Sequence, residues 1–531
     1  MRRGRDGSPG GPEKSLRRSR GGPPETAPGP AYRVGRLGYP LGVSDGLPTA
    51  PAPPSVDPRF DPGAYETFRF VGVEVREDEA AVVLRYALDD RVPFEETVRF
   101  ADVTWPADGP RREVLLRLAR LLHLLAGVSY FKTAAPPRIA FGPGVGGLDG
   151  ADAPSPRLRA LLRDVYTLGL SEFAYVNRVD VRERGALPDA ARDAPAPAVE
   201  LPATRRTLVP IGGGKDSVVA LEVVRQAGRE PVLFSVGRAV PIVDCVAAAG
   251  LPHAVAVRSL SPNIGDLNAS GALNGHVPVT AVVSTIALMT AVLHGAGDVA
   301  MANERSASEG NLVWDGLDVN HQWSKGASFE RQLGELLRTE VATGLGYRSV
   351  LRPAGELAIA RAFSRLSQFH PVFTSCNAVF RIDPARRGVR WCADCPKCRF
   401  VYLALAPTLG PAELTAIFGG DMLDDPDQYD GFADLAGLRE HKPFECVGEE
   451  QESLLAMRLI AEGVGEDGRP GRDVWRDHAV VRRLRDEHLQ GLPPLPEDPH
   501  RDAPPFVLDD AALRELPDDL RTAVVAVLGA P

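Results

Sequence analysis

The sequence predicts an α/β protein: a parallel sheet with helices on both faces, preceded by a small N-terminal α+β domain and followed by a helical C-terminal region. Three observations predict it. Apolar runs at 208–211, 232–236, 254–257, 299–302 and 349–351 alternate with helix-like segments, the pattern of strands joined by crossover helices. The first run stops at Gly212, Gly213 and Gly214, and Val218, Val219, Leu221, Val223 and Val224 then open a helical pattern. Upstream, Phe68, Phe70, Val73 and Val75, then Val82, Leu84, Tyr86 and Leu88, alternate about the charged turn Glu77-Asp78-Glu79, as a hairpin with one buried face does.

Taken in order, residues 1–60 are rich in Gly, Pro, Arg and Ser and are expected to be a disordered arm, because they cannot bury enough surface to offset chain entropy. MRRGRDGSPGGPEK has no apolar core, so no signal peptide is expected and the cytoplasm is the predicted compartment. Residues 61–185 form the expected α+β domain: the hairpin, a third strand near Val98 and Phe100, and helices over Leu115–Ala126 and within 158–175. Its aromatic stretches GVSYFK (127–132) and SEFAYVN (171–177) follow helical pattern; core packing accounts for aromatics more readily than a ligand groove does. Residues 186–205 read as a linker, 206–410 as the α/β domain, and 411–531 as an extension, partly helical. The apolar runs at 115–128 and 279–293 read as buried helices: the first carries Arg117, Arg120 and His123, and the second is too short to span a bilayer.

With 531 residues, a net charge of −9 and six cysteines, the chain lacks the basic face of a nucleic-acid binder and the cysteine density of a disulfide scaffold. The chemistry concentrates instead in a few polar segments. In a parallel sheet these fall beyond the carboxyl ends of the strands, where ligands bind. IGGGKDS is a phosphate cradle: glycines bring the backbone close to an anion, and the first N–H groups of a helix have no internal partner. A Walker loop needs Gly, four residues, then Gly-Lys-Ser/Thr, and Val209 and Asp216 break that pattern. Nucleotide contacts are therefore expected from Gly212, Gly213, Gly214, Lys215, Asp216 and Ser217, with Gly237 after the next strand and Asn303, Glu304 and Arg305 after a later one. The last three suit substrate carboxylates or Mg2+. His276, His321 and Lys325, in NGHVPVT and NHQWSKG, are the candidate acid/base residues. Cys376 and the tract Cys392, Cys395, Cys398 have the spacing of a four-thiolate metal site, expected to hold structural Zn2+ with an iron–sulfur cluster as the alternative and free core cysteines as the bland one. Cys446 could replace Cys376 as the fourth ligand, and Cys245 reads as packing.

Gly213, Gly214, Asp216 and Ser217 match the Ser-Gly-Gly-x-Asp-Ser pattern of the PP-loop ATP pyrophosphatases, which this stretch resembles; Gly212 stands where that pattern has Ser. Lys215 occupies the variable position, so its removal is expected to be mild. The Cys layout resembles the zinc knot of the PP-loop cyano-deazaguanine synthases. IGGGKDS, NGHVPVTAV, NERSAS, VNHQWSKG, SCN, RWCADCPKCRFVYLALAP and HKPFECVGE, with FRFVGVEV, HLLAGVSYFK and EFAYVNR upstream, together resemble the MurL family of ATP-dependent epimerases over about residues 65–460. That resemblance implies conversion of the terminal L-Glu of a UDP-N-acetylmuramoyl dipeptide to D-Glu, with ATP and Mg2+ consumed to AMP and diphosphate. It implies a nucleotide-sugar dipeptide as substrate, no nucleic-acid partner and no membrane insertion. Another PP-loop enzyme, of the cyano-deazaguanine or tRNA-modifying type, is the alternative, and a zinc-stabilised nucleotide-binding module without turnover is a third. The sequence does not fix the oligomeric state.

Overall fold

The computed structural model of the chain describes residues 60–380, 388, 390–439, 447–464 and 474–529. Residues 1–59 of the expected arm, and Cys446 with the residues around it, lie outside that set.

Nine strands form one sheet. They are β1 (Thr67–Arg76), β2 (Ala81–Leu88), β3 (Val92–Phe100), β4 (Arg138–Phe141), β5 (Arg206–Pro210), β6 (Glu230–Val236), β7 (His253–Ser259), β8 (Asp298–Met301) and β9 (Gly346–Ser349). Their order is β9-β8-β5-β6-β7-β3-β2-β1-β4. The half from β9 to β7 is parallel. It carries on into the antiparallel strands β3, β2 and β1, and β4 then pairs parallel with β1. The expected parallel sheet is therefore a mixed one. The strands expected to form a separate N-terminal sheet extend the same sheet, because Thr97–Phe100 pair with Ala256–Ser259. A buried salt bridge reinforces that seam: Arg258 Nε lies 2.6 Å from Glu96 Oε1.

Period-2 alternation explains why both faces of the sheet are covered. Leu208, Phe234 and Val299 face one core, with the hairpin aromatics and the helices α1 (Gly109–Ala126) and α4 (Val279–Leu293). Their neighbours Val209, Leu233 and Ala300 face a second core. There they meet α3 (Lys215–Gln226), α5 (Glu356–Ser364), α6 (Pro396–Leu405), α7 (Glu450–Glu462) and α8 (Asp518–Leu528), counting as α2 the short helix Ser171–Asn177. The C-terminal extension is thus part of the core: Leu520, Val524 and Leu528 of α8 are fully buried, and Arg229 ties Asp519 (2.8 Å) to Asp298 (2.6 Å). Truncating such a buried Leu costs about 2–5 kcal/mol. The helical stretch 109–131 is long and apolar enough to cross a bilayer, yet 89% of its apolar window is buried inside the protein. It is a core helix packed on α4 and β1.

The parallel half contains a change of strand order. Among β5 to β9 the chain runs outward from β5 to β6 and β7 on one side, and to β8 and β9 on the other. The crevice beyond the carboxyl ends of β5 and β8 is a topological switch point, the place where open α/β sheets bind ligands.

Candidate active site: a glycine loop, a histidine cluster and a thiolate knot

The glycine loop fills that crevice. Pro210 ends β5, Gly213 has φ of +88°, a conformation that favours glycine, and Gly214 caps α3 in an extended conformation. A methyl group at Gly212 would meet nothing within 4 Å, so the loop is open on that side. One at Gly214 would lie 2.8 Å from Ser375 Oγ, so that hydroxyl sits directly against the cradle. Ser217 Oγ donates to the Gly214 carbonyl at 2.9 Å, closing the first turn. Gly237, at the end of β6, also has positive φ (+77°), and its carbonyl accepts from Ser235 Oγ at 2.7 Å.

Lys215 departs from expectation. Its side chain is 2% exposed and is clasped between Asp216 Oδ1, at 2.5 Å, and Glu356 Oε2. Burial alone would lower its pKa, but the Asp216 and Glu356 carboxylates outweigh it and hold the ammonium charged. Burial pushes Glu356 up to about 8 against the attraction of Lys215, with Asp216, Glu304 and Glu452 adding like charge. Glu452, on α7, reaches the same spot: its Oε1 accepts from the Glu356 N–H at 2.6 Å, and burial raises it to about 7. A C-terminal helix therefore supports the loop. Neither Glu356 nor Glu452 had a local sequence signal.

Beyond β8, Asn303 Nδ2 donates to Ser349 Oγ at 2.9 Å, and both residues are buried. The Glu304 carboxylate lies close enough to Glu356 to raise its pKa. The Arg305 guanidinium turns to the C-terminal segment, donating to the carbonyls of Val507 (3.2 Å) and Pro504 (3.3 Å).

The three acid/base candidates converge. A short hairpin, Leu312–Trp314 and Leu317–Val319, delivers Asn320 and His321. Asn320 is fixed by Ser171 Oγ, which accepts from its N–H at 3.2 Å, and by its own Nδ2 donating to the Ala307 carbonyl at 3.3 Å. His321 and His276 have ring centroids 4.2 Å apart. His321 Nδ1 hydrogen-bonds Glu172 Oε2, a residue of α2 inside SEFAYVN. One ligand atom from each of Glu172, His276 and His321 lies within 4.8 Å of the others. Burial, then His321 and Lys325, holds the His276 pKa well below its ordinary value, so this ring is neutral. The aromatics of SEFAYVN and GVSYFK do enter the core, as Phe173, Tyr130 and Phe131 show, while Glu172 and Lys132 of the same stretches face polar groups.

Arg352 joins the two centres. Its guanidinium donates to the Glu304 carbonyl at 2.6 Å, to the Lys325 carbonyl, and to Glu330 Oε2 at 2.9 Å. The segment after β8 and the segment carrying Lys325 are thereby held in one register.

The four cysteines Cys376, Cys392, Cys395 and Cys398 bring one sulfur each within 4.8 Å of one another, a spacing that can hold a metal ion. Cys395 caps α6, its sulfur accepting from the Cys398 N–H at 3.4 Å. The knot borders the glycine loop. The Thr374 N–H donates to the Gly213 carbonyl at 2.8 Å, the Thr374 hydroxyl to the Arg390 carbonyl at 2.7 Å, and the Cys376 N–H to the Thr374 hydroxyl at 3.1 Å. Cys245 is buried with its sulfur 3.6 Å from the Gly213 carbonyl, and packs in the core as expected.

The MurL N-terminal domain is matched over residues 59–350 and the MurL C-terminal domain over 372–494. The chain belongs to the MurL family. Three curated relatives of this family carry the name UDP-N-acetyl-alpha-D-muramoyl-L-alanyl-L-glutamate epimerase. The Salinispora tropica protein is 45% identical over 76% of this chain and 84% of its own length. One from Micromonospora sp. is 43% identical over 79% and 90%, and one from Xanthomonas oryzae pv. oryzae is 42% identical over 80% and 90%. No solved structure matches the chain. The two MurL matches include the glycine loop, the histidine cluster and the thiolate knot, and stop short of α8.

Proposed function

We propose that this MurL-family chain epimerises the terminal L-Glu of UDP-N-acetyl-α-D-muramoyl-L-alanyl-L-glutamate to D-Glu, in the cytoplasm, by way of an α-carboxyl adenylate. The observation that carries this reading is the pairing of a phosphate cradle at the switch point with a buried Glu172–His321–His276 cluster, the two braced by Arg352.

The chemistry requires both parts. The α-hydrogen of a free carboxylate is hardly acidic, because removing it creates a dianion. In the adenylation step an oxygen of the α-carboxylate attacks the α-phosphorus of ATP and diphosphate leaves. The resulting acyl phosphate ester is neutral at the carbonyl, so its α-hydrogen becomes accessible to a base. His276, neutral through burial, is that base. Glu172 accepts from the Nδ1–H of His321, which leaves its Nε2 as the second proton-carrying nitrogen of the cluster. Lys325 lies close enough to depress His276 and to stabilise the enolate charge. Water then attacks the acyl carbon, releasing AMP and the D-Glu carboxylate.

The glycine loop and the α3 N-terminus receive the phosphates in this reading, with PP-loop geometry, and Ser375 supplies the hydroxyl that Gly212 lacks. Asp216 and Glu304 would hold Mg2+ in this reading, an ion that prefers carboxylates and phosphates. Zn2+ is the ion proposed for the four thiolates, as a closed structural site.

The test supplies the UDP-linked dipeptide with and without ATP and Mg2+, hydrolyses the product and separates the Glu enantiomers. D-Glu together with AMP and diphosphate is expected only in the complete mixture. AMP without D-Glu would overturn the epimerase reading and favour another PP-loop activity.

A further inference from the structure

Lys132 ends the GVSYFK stretch, after the helical turn Val128–Phe131. It is buried, 7% exposed, in a position where an ammonium is costly unless an anion accompanies it. No carboxylate among the described residues forms a salt bridge with it; its hydrogen bond goes to the amide oxygen of Asn274. Burial, with no opposing charge, holds its pKa down to about 8, so it remains mostly protonated at neutral pH. Two other buried cations have counter-ions: Lys215 has Asp216 and Glu356, and Arg258 has Glu96.

The surroundings place this cation beside the proton-transfer cluster. Asn274 precedes His276 by two residues, and its side-chain oxygen also accepts from the Gly275 N–H at 2.9 Å. Asn177, on the helix that carries Glu172, donates to the Asn274 carbonyl at 3.0 Å. The Leu273 N–H donates to the Thr133 carbonyl at 2.9 Å, so the two segments run side by side. Gly275 packs against Phe173, with room for a methyl group only at 3.3 Å from its ring. Lys132, Asn274, His276 and Glu172 thus belong to one contiguous wall.

We propose that Lys132 is a specificity-determining residue that receives the γ-carboxylate of the substrate's terminal glutamate. The inference rests on the epimerase reading above and deepens it. The γ-carboxylate is separated from the α-carbon by two methylene groups, so a cation on the same wall as the proton-transfer residues is within reach of it. The α-carboxylate loses its charge on adenylation, whereas the γ-carboxylate keeps its charge through every step and needs a lasting counter-ion. The nucleotide diphosphate is set apart from the reacting carbon by the whole muramoyl-alanyl portion. Asn274 holds the ammonium in place, and the incoming carboxylate supplies the missing negative charge.

The experiment compares two substrates, the UDP-linked L-Ala-L-Glu dipeptide and its γ-amide, with the full-length unmodified protein and with Lys132→Met and Lys132→Gln. The unmodified protein is expected to prefer the γ-carboxylate strongly. Each variant should lose roughly a hundredfold in kcat/KM toward that substrate, carried mainly by KM, because one partner of a buried charge pair is gone. Turnover of the γ-amide should change only a few-fold, so the preference collapses. ATP affinity, measured by titration calorimetry without dipeptide, should stay within a few-fold of the unmodified protein. An equal loss toward both substrates would make Lys132 structural and overturn the assignment, as would full retention of the preference. If the unmodified protein epimerises neither substrate, the epimerase reading fails instead.

Discussion

Replacing Lys215 should be far more damaging than its variable place in the glycine-loop pattern implies. Lys215→Met keeps the length of the side chain and removes the ammonium that lies between Asp216 and Glu356, with Glu356 itself 7% exposed. Breaking a buried ion pair by removing one partner costs about 3–5 kcal/mol, against a total stability of about 5–15 kcal/mol for a typical fold. Glu356 can escape part of that cost by binding a proton, since burial already holds its pKa up to about 8 with Lys215 present. Without Lys215 the folded-state pKa of Glu356 rises further, while its unfolded value stays near that of an ordinary carboxyl. The folded protein then binds the extra proton, so stability falls as pH rises from the unfolded value through the folded one, by up to about 1.4 kcal/mol per pH unit. The unmodified protein loses stability in step with the variant up to its own Glu356 pKa of about 8, so the loss at pH 9 should exceed the loss at pH 6 by up to about 1.4 kcal/mol. Urea unfolding followed by circular dichroism at both pH values measures it. Lys215→Met combined with Glu356→Gln should be no less stable than Lys215→Met alone at pH 9, because the stranded charge is gone. A cost below about 1 kcal/mol at both pH values would refute the role given to this pair.

Acid should destabilise the protein through its buried histidines. Burial lowers His123 to about 4 and His276 well below its ordinary value, so the unfolded chain takes up protons that the folded one refuses as pH falls below about 6.5. Each histidine then withdraws up to about 1.4 kcal/mol per pH unit, against the opposite contribution of Glu356 and Glu452, whose raised pKa values add stability over the same range; a His123→Gln variant whose thermal melt changes between pH 6.5 and 5 by as much as that of the unmodified protein would contradict the burial of His123. Glu172→Gln should lower epimerisation by about 10²–10⁴-fold and shift its acid limb, because it leaves His321 without the carboxylate that fixes its tautomer; AMP formation should persist, and an unaltered pH profile would count against the pairing. Ser375→Ala should weaken ATP binding by roughly tenfold or more, and Gly212→Ser in the same chain should restore it, since a side chain at Gly212 meets nothing within 4 Å. Cys395→Ser should lose bound metal and ATP affinity together, because Thr374 links the knot to Gly213; full ATP affinity in the metal-free variant would break that link.

Much of the fold lay in local pattern. Val232–Val236 and Val299–Ala302 could be read as strands because, Ser235 apart, consecutive residues are apolar, the mark of a sheet covered on both faces. IGGGKDS and the tract Cys392, Cys395, Cys398 were legible because a few neighbouring residues contain the signal. What could not be read was long-range. Glu172 meets His321 across 149 positions, and Lys215 meets Glu356 across 141. Glu452 and Ser375 are ordinary residues until α7 and the thiolate knot bring them against the glycine loop. Pairing of Thr97–Phe100 with Ala256–Ser259 has no local signature either, so the continuity of the hairpin strands with the parallel half was not legible. The extension after Pro411 reads as partly helical, but nothing local shows that Leu520 and Val524 complete the core under α3.

Solvent isotope at the reacting carbon tests the central claim most directly. With the UDP-linked L-Ala-L-Glu dipeptide, ATP and Mg2+ in deuterium oxide, mass spectrometry and proton NMR follow the glutamate α-position. Adenylation first and proton transfer second predicts one deuterium in every D-Glu product and none in substrate incubated without ATP. Replacing His276 by Asn should leave AMP release measurable while deuterium entry falls away. Epimer that accumulates with its α-proton retained, or deuterium that enters without ATP, would contradict the account.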